Sequence, residues 1–378
     1  MWRVACAIGT AYHGKESFEG EGFVYDIAII GLGPAGSFLA KHLDKHYRTI
    51  AIDKKSAENA NGFQKPCGGL LAPDAQKSLS RFNMTLPKDV LVNPQIFSVR
   101  TIDIQTGLIR HYQRHYINLD RHKFDQWLID QIPEHIEVHP NADCIDISRN
   151  SSGFTVVFME NGESQTIRAR YLVGADGAAS IVRRTLYKDF RIHTHLSIQQ
   201  WFPDTHKAPF YSCIFDAAIT DSYAWGLTKD DCFLFGGAFS IETGKNDFEA
   251  LKEKLRPYGF QLDAPLKTEA CLVLRPFGPR NYCYGGDDTF LIGEAAGFIS
   301  PSSLEGISYA IDSGYLLSQC LNQAQRNTDS DPNRLYRTGT RKIRLKLFSK
   351  YLKRPLMYHP LSRKLIMQSG LLSIPILK

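Results

Sequence analysis

Three glycines, Gly31, Gly33 and Gly36, follow the pattern G-x-G-x-x-G within Gly31-Leu-Gly-Pro-Ala-Gly36. In a turn between a strand and a helix, the first glycine permits a tight bend and the second lets backbone N–H groups approach a pyrophosphate. The third allows the helix to pack close to the strand. Pro34 and Ala35 lie between them at a helix N-terminus, whose partial positive charge favours an anion. Asp53, with Lys54 beside it, closes the following apolar run, where a carboxylate can accept hydrogen bonds from a ribose hydroxyl. In Lys65-Pro-Cys-Gly-Gly69, the glycines Gly68 and Gly69 would let Cys67 come close to a ligand. Its thiol reads either as partly ionised beside a polar cleft or as a small packing residue in a turn. Lys65 reads as a phosphate contact or, more simply, a solvated cation.

These residues need a scaffold. Tyr25–Ile30 is a buried-strand run, Ser37 to Asp44 a helix and Thr49–Asp53 a second strand, a β-α-β unit that requires a parallel sheet. Further helices are expected from Pro73 to Arg81 and from Arg121 to Ile132, with a strand at Tyr171 to Ala175. Between Ser197 and Phe239, strand-like segments recur with polar turns and no helix, which reads as an antiparallel sheet. Its aromatics (Trp201, Tyr211, Phe215, Tyr223, Trp225, Phe233, Phe235) are mostly core by this reading, with a subset lining an apolar pocket. Helix returns at Phe248 to Leu255, and Thr289 to Ile292 is a strand followed by a helix from about Leu304 to Gln323.

Two later segments repeat the strand-turn-helix context. One is Gly174-Ala-Asp-Gly-Ala-Ala-Ser-Ile-Val-Arg183, with Asp176 and Gly177; the other is Phe290 to Pro301, with Gly293 and Glu294, running on to Ser303-Leu-Glu-Gly306-Ile307. Together with the first motif they resemble the three fingerprints of FAD-containing oxidoreductases of the p-hydroxybenzoate hydroxylase fold. The segment Arg121-x-x-Phe124-Asp125 is similar to that family's helix, whose arginine lies near the flavin. Lys65-Pro-Cys-Gly-Gly69 resembles the geranylgeranyl reductase branch, in which a cysteine followed by glycines lies beside flavin and substrate. The resemblance implies non-covalently bound FAD held by these residues, with Cys67 as the candidate catalytic group. Two positions depart from it. Glu294 stands where most relatives have an aspartate holding the ribityl chain, and Tyr223-Ala-Trp-Gly-Leu-Thr-Lys229 replaces an aromatic-Pro segment.

The expected fold is α/β, a Rossmann-like FAD-binding domain (25–85, 115–187 and 276–330) with an inserted antiparallel-sheet substrate domain (86–114 and 188–275). A 24-residue N-terminal extension precedes it and a basic helical tail, 331–378, follows. The expected activity is hydride transfer from reduced flavin to an apolar, isoprenoid-like or lipid acceptor. A flavin monooxygenase and a non-catalytic flavin sensor are the alternatives. With no second G-x-G-x-x-G unit, NAD(P)H would dock transiently, or a small redox protein would supply electrons.

Composition bounds the rest. The 378 residues carry 45 Lys+Arg against 39 Asp+Glu and are 43% hydrophobic, which excludes disorder and small stapled scaffolds. Eight scattered cysteines and no clustered histidines suggest neither a disulfide framework nor a metal site, and point to a reducing cytoplasm. No acidic residue follows Asp331, yet twelve basic ones do, leaving the preceding 331 residues net acidic. This suits an anionic surface, a membrane face rather than nucleic acid, with Ile343, Leu345, Leu347, Phe348, Leu352, Leu356 and Met357 completing an interfacial segment.

Overall fold

The computed structural model describes residues 25–55, 65–204 and 211–377; the N-terminal extension and Lys378 lie outside them. In chain order the elements begin with β1 (Tyr25–Ile30), α1 (Pro34–His42), β2 (Thr49–Asp53), β3 (Leu70–Leu71) and α2 (Pro73–Arg81). There follow β4 (Ile96–Asp103), β5 (Leu108–Asn118), α3 (Arg121–Ile129), β6 (Ile136–Pro140), β7 (Ala142–Asn150), β8 (Gly153–Glu160), β9 (Glu163–Gly174) and α4 (Ile181–Leu186). Next come β10 (Thr194–Pro203), β11 (Tyr211–Phe215), β12 (Ala224–Lys229), β13 (Cys232–Phe239), α5 (Gly244–Leu255) and β14 (Lys267–Leu274). The chain closes with β15 (Gly285–Gly286), β16 (Thr289–Leu291), α6 (Ile307–Arg326), α7 (Pro332–Gly339), α8 (Arg341–Leu352), α9 (Arg354–Tyr358) and α10 (Pro360–Ser369).

Two eight-stranded sheets organise the chain. The first runs β15-β16-β9-β1-β2-β6 and adds β8 and β7 beyond β9; β1 pairs in parallel with both β2 and β9. Alternation along β1 explains why its run is apolar throughout. Ile27 and Ile29 pack with Leu39, Leu317 and Tyr336 beneath α1, α6 and α7, while Ala28 and Ile30 pack with Val156 and Phe158 of the β7–β8 hairpin. The second sheet runs β14-β10-β13-β12-β11-β4-β5-β3 and is antiparallel except where β4 meets β11. It takes in Leu70–Leu71 and the whole of Leu108–Asn118, although sequence alone places Leu70–Leu71 and the last four residues of that strand, 115–118, with the FAD-binding portion.

Helices α1 and α5 begin earlier than expected, at Pro34 and Gly244, and α1 ends at His42 rather than Asp44; α3 and α6 differ for local reasons. α3 stops at Ile129, because Pro133 disfavours helical backbone at Ile132. α6 starts at Ile307, because Leu304 takes a left-handed φ of 54° and its N–H closes a turn onto the Ser300 carbonyl, 2.9 Å away.

Helix α1 is crossed closely by α6. A Cβ at Gly314 would overlap the Ala35 carbonyl, and one at Gly36 the Gly31 carbonyl. Gly314→Ala should therefore destabilise the protein by about 1–3 kcal/mol through overpacking, although alanine in a free helix is favoured over glycine by about 1 kcal/mol. Urea unfolding checks the sign; a more stable variant would mean the two helices do not meet at Gly314.

Candidate functional site

The three glycine-rich segments converge on the ends of β1, β9 and β16. At Gly31, whose φ is 98°, an added Cβ would lie 2.7 Å from the Ala175 carbonyl oxygen, and at Gly293 one would lie 2.9 Å from the Ala35 side chain. Both positions therefore need glycine. Gly33 differs: an added Cβ meets nothing within 4 Å, and as N-cap of α1 it offers no side-chain cap. Open space in front of an uncapped helix N-terminus, with no acidic residue in its first turn, fits a pyrophosphate. Gly306 caps α6 ahead of Ile307 without close contacts, so sterics alone do not demand glycine there.

Asp53 is 4% exposed and occupied. Its carboxylate accepts from the Leu32 N–H of the glycine loop and from the Lys55 N–H at 2.7 Å. A ribose hydroxyl would share it with the loop it holds. Lys54, the neighbour expected at the ligand, is exposed; Lys55 turns inward instead, 3.0 Å from Asp125 and 3.1 Å from the Leu32 carbonyl. Period-two alternation carried past Asp53 would have found it. Beside Leu32, Lys55 lines a small pocket with His122, Asp125 and Gln126.

From Asp125 the network continues. Arg121, one helical turn earlier, donates to its carboxylate at 2.8 Å and approaches the Cys67 sulfur at 3.5 Å. Burial opposes the Asp125 charge, but Arg121 and Lys55 outweigh it and hold the carboxyl below its ordinary range. Sequence reasoning recognised Asp125 as part of a motif without seeing that it joins the glycine loop to Cys67.

The Cys67 sulfur accepts from the Gly69 N–H at 3.4 Å as well as from Arg121. Gly69, with φ at 62°, packs so tightly on the Leu119 carbonyl and Lys229 that no side chain fits. Lys229, missed from the sequence although it ends an apolar strand, is 6% exposed and donates to Asn118 at 2.8 Å and to the Leu119 carbonyl at 2.7 Å. Burial lowers its pKa to about 8. Lys65, expected to be solvated, is instead paired with Glu294 at 2.5 Å; Glu294's other oxygen accepts the Leu274 N–H at 3.0 Å. Burial would lower the Lys65 pKa, but Glu294 more than compensates and raises it. The longer glutamate thus spans the third fingerprint, the Cys67 loop and the second sheet.

Asp176 caps the start of α4, accepting from the Ile181 N–H at 2.7 Å; its other oxygen is buried without a partner, and burial raises its pKa. Gly177 has a φ of 74°, and a Cβ added there would stand 3.9 Å from the Lys65 ammonium. Alternation sorts the aromatics of the second sheet. Phe233 and Phe235 enter the core beneath α5, while Trp201, Tyr211 and Trp225 gather on the opposite side with Tyr116 and Leu70. Trp225 Nε1 is buried and unpartnered, and a Cβ at Gly68 would stand 3.7 Å from it. Two orphaned buried polar atoms and the space at Gly33 are what a bound FAD and its substrate would complete.

A family model described as an FAD binding domain matches residues 100–236. Protein CbrA of Escherichia coli O6:H1 is 52% identical over 354 residues, which is 94% of this chain and 96% of that protein. Protein CbrA of Shigella sonnei is 51% identical over 354 residues, 94% and 99% of the two chains. A geranylgeranyl bacteriochlorophyll reductase-like protein from Thermoplasma acidophilum superposes with a TM-score of 0.74 at 19% identity, over 89% of this chain and 87% of that one. The probable FAD-dependent monooxygenase pqsL from Pseudomonas aeruginosa superposes at 0.65 and 16% identity, over 91% and 98%. The two structures establish a shared fold, and FAD is the cofactor that fold and family bring.

Asp125→Asn should cost about 3–5 kcal/mol, since it leaves buried Arg121 without its carboxylate and Lys55 with only the Asp53 carboxylate, 3.7 Å away. Because the folded carboxyl titrates below its unfolded value of about 3.9, its contribution is complete above that pH and fades as pH falls through the folded value. Urea midpoints below pH 4 should therefore fall less steeply in the variant; parallel acid limbs would refute the network. Lys229 has the opposite sense. Its folded pKa near 8 lies under the unfolded 10.5, so its burial penalty is full below pH 8 and is relieved as pH rises between those values. Lys229→Met should remove that rise in stability, measured as the difference between the two proteins across the alkaline range.

Proposed function

Since the chain belongs to the CbrA family and is an FAD-dependent oxidoreductase, we propose that it is a cytoplasmic reductase of an apolar, isoprenoid-like acceptor, with the Cys67 loop as the meeting place of flavin and substrate. One observation carries this reading: Cys67 lies between the charged network of the first sheet and the aromatic side of the second, touching Arg121 and flanked by Gly68 opposite Trp225. When bound and reduced, FAD supplies a hydride equivalent. The chain's own residues do the rest. Gly33 and the start of α1 take the pyrophosphate, Asp53 positions the glycine loop, and Glu294 with Lys65 flanks the central part of the cofactor. Trp201, Tyr211 and Trp225 offer an apolar wall, and the unpaired Trp225 N–H can donate to the one polar end of an otherwise apolar ligand. Glu269, held ionised by Lys267, Gln199 and Trp201 against the opposing effect of burial, fixes that wall's edge. The Cys67 sulfur is the group placed to hold a proton at the reacting face, and the Arg121 contact orients it.

A flavin monooxygenase is the second reading, favoured by the structural likeness to pqsL. Turnover separates them: a geranylgeranyl lipid incubated with the dithionite-reduced protein under argon should gain hydrogen across its double bonds. A product formed only with O₂, and carrying its oxygen, would overturn the reductase.

Two substitutions probe the site itself. Gly33→Val should abolish FAD binding while the protein stays folded, because the open space there belongs to the pyrophosphate; a yellow variant would end that assignment. Cys67→Ser should retain FAD yet change the rate of flavin reduction or reoxidation in stopped-flow traces, and unchanged rates in both directions would reduce Cys67 to packing.

A further inference from the structure

The basic tail divides into two populations of side chains. Some face the body: Lys346 and Lys350 each lie 3.4 Å from Asp74, Arg354 stacks 4.4 Å over Phe277, and Arg363 is buried 3.1 Å from Asp103. Others, Arg341, Lys342, Lys353 and Lys364, are exposed. The apolar residues divide in the same way. Ile343, Leu347 and Met367 are buried, so the first two leave the interfacial set expected from sequence. Leu345 and Leu352, on the other side of α8, are 68% and 59% exposed; Leu361 and Leu365, one turn apart on α10, are 66% and 68%. Leu356 and Leu372 extend this exposed set.

Of the seventeen large apolar side chains exposed among the described residues, eleven fall between Leu345 and Leu377. Isolated apolar residues on a surface are ordinary, but such a concentration rimmed by cations marks an interaction surface. We propose that the outward side of α8, α9 and α10, with the segment 371–377, is a docking surface for an anionic lipid bilayer. The occupant follows from the chemistry. No acidic residue follows Asp331, so a second copy of the tail would set like charges against each other. A nucleic acid has no use for exposed leucines. An anionic bilayer offers both partners, headgroups for the cations and hydrocarbon for the leucines. No helix among the described residues is long and apolar enough to cross a membrane, so the contact is interfacial. The proposal stands independently of the reductase chemistry.

The test is cosedimentation of the intact flavoprotein with vesicles of phosphatidylglycerol or of phosphatidylcholine. Salt would be about 0.1 M or about 1 M, where charges are screened beyond about 10 Å and about 3 Å respectively. Binding is expected on phosphatidylglycerol at low salt and at least about tenfold weaker, ~1.4 kcal/mol, on either change. Lys353→Glu with Lys364→Glu, and separately Leu356→Ser with Leu361→Ser, should each weaken it by about tenfold. All four side chains are exposed, so FAD absorbance and melting temperature should stay at wild-type values and certify the fold. Failure of the intact protein to bind phosphatidylglycerol, equal binding to both lipids, or wild-type binding by both variants would overturn the proposal. So would a lipid-free dimer in light scattering that the leucine substitutions dissolve, which would assign the surface to a second copy.

Discussion

The buried carboxylate of Asp125 is the point on which the cofactor side of the molecule turns. Lys55 reaches it from the end of β2 and Arg121 from its own helix, and through them it joins the glycine loop to the Cys67 loop. A charge so placed is costly to bury, and only two cations with directed hydrogen bonds make its position tenable. The arrangement exchanges stability for geometry: two loops far apart in sequence are fixed relative to one another before any ligand arrives. Glu294 performs the corresponding service on the far side, joining the third fingerprint to Lys65 and to the end of β14. The two carboxylates bracket the Cys67 loop.

What the sequence reveals and conceals follows from the range of the forces involved. Tyr25–Ile30, Thr49–Asp53, Pro73–Arg81, Tyr211–Phe215 and Cys232–Phe239 are legible to the residue, because apolar run length and flanking turn residues determine them locally. The convergence of Gly31, Ala175, Ala35 and Gly293 is legible only through a resemblance, since nothing in one glycine turn specifies which others it will meet. Lys229 and Lys55 stayed hidden because a lysine's ordinary place is solvent, and their burial depends on carbonyls and carboxylates supplied by distant segments. The tail shows the same limit. Its charge is plain in composition, but which cations point inward is decided by Asp74 and Asp103, more than 250 residues earlier.

The second sheet is a divided structure. Its inner side builds a conventional core with α5, and its outer side leaves tryptophans and tyrosines around a polar loop. On that outer side the Glu269 carboxylate is filled by Gln199, Trp201 and Lys267, while the Trp225 N–H has no partner. Such an unsatisfied buried group is expected where a protein keeps a place for something it does not itself contain.

Asp103 and Arg363 form a buried pair 260 residues apart, and Ile374 covers the edge of β5 through the His111 carbonyl at 2.7 Å. The order of synthesis makes this a problem of time. At about 5–20 residues per second a ribosome needs roughly 13–52 s to travel from one partner to the other. Until then, any β4–β5 pairing that forms lacks the partner of its Asp103 carboxylate and the cover of its strand edge. An open edge invites pairing with a neighbouring chain. A chain cut short before Ser373 would leave that edge of β5 uncovered.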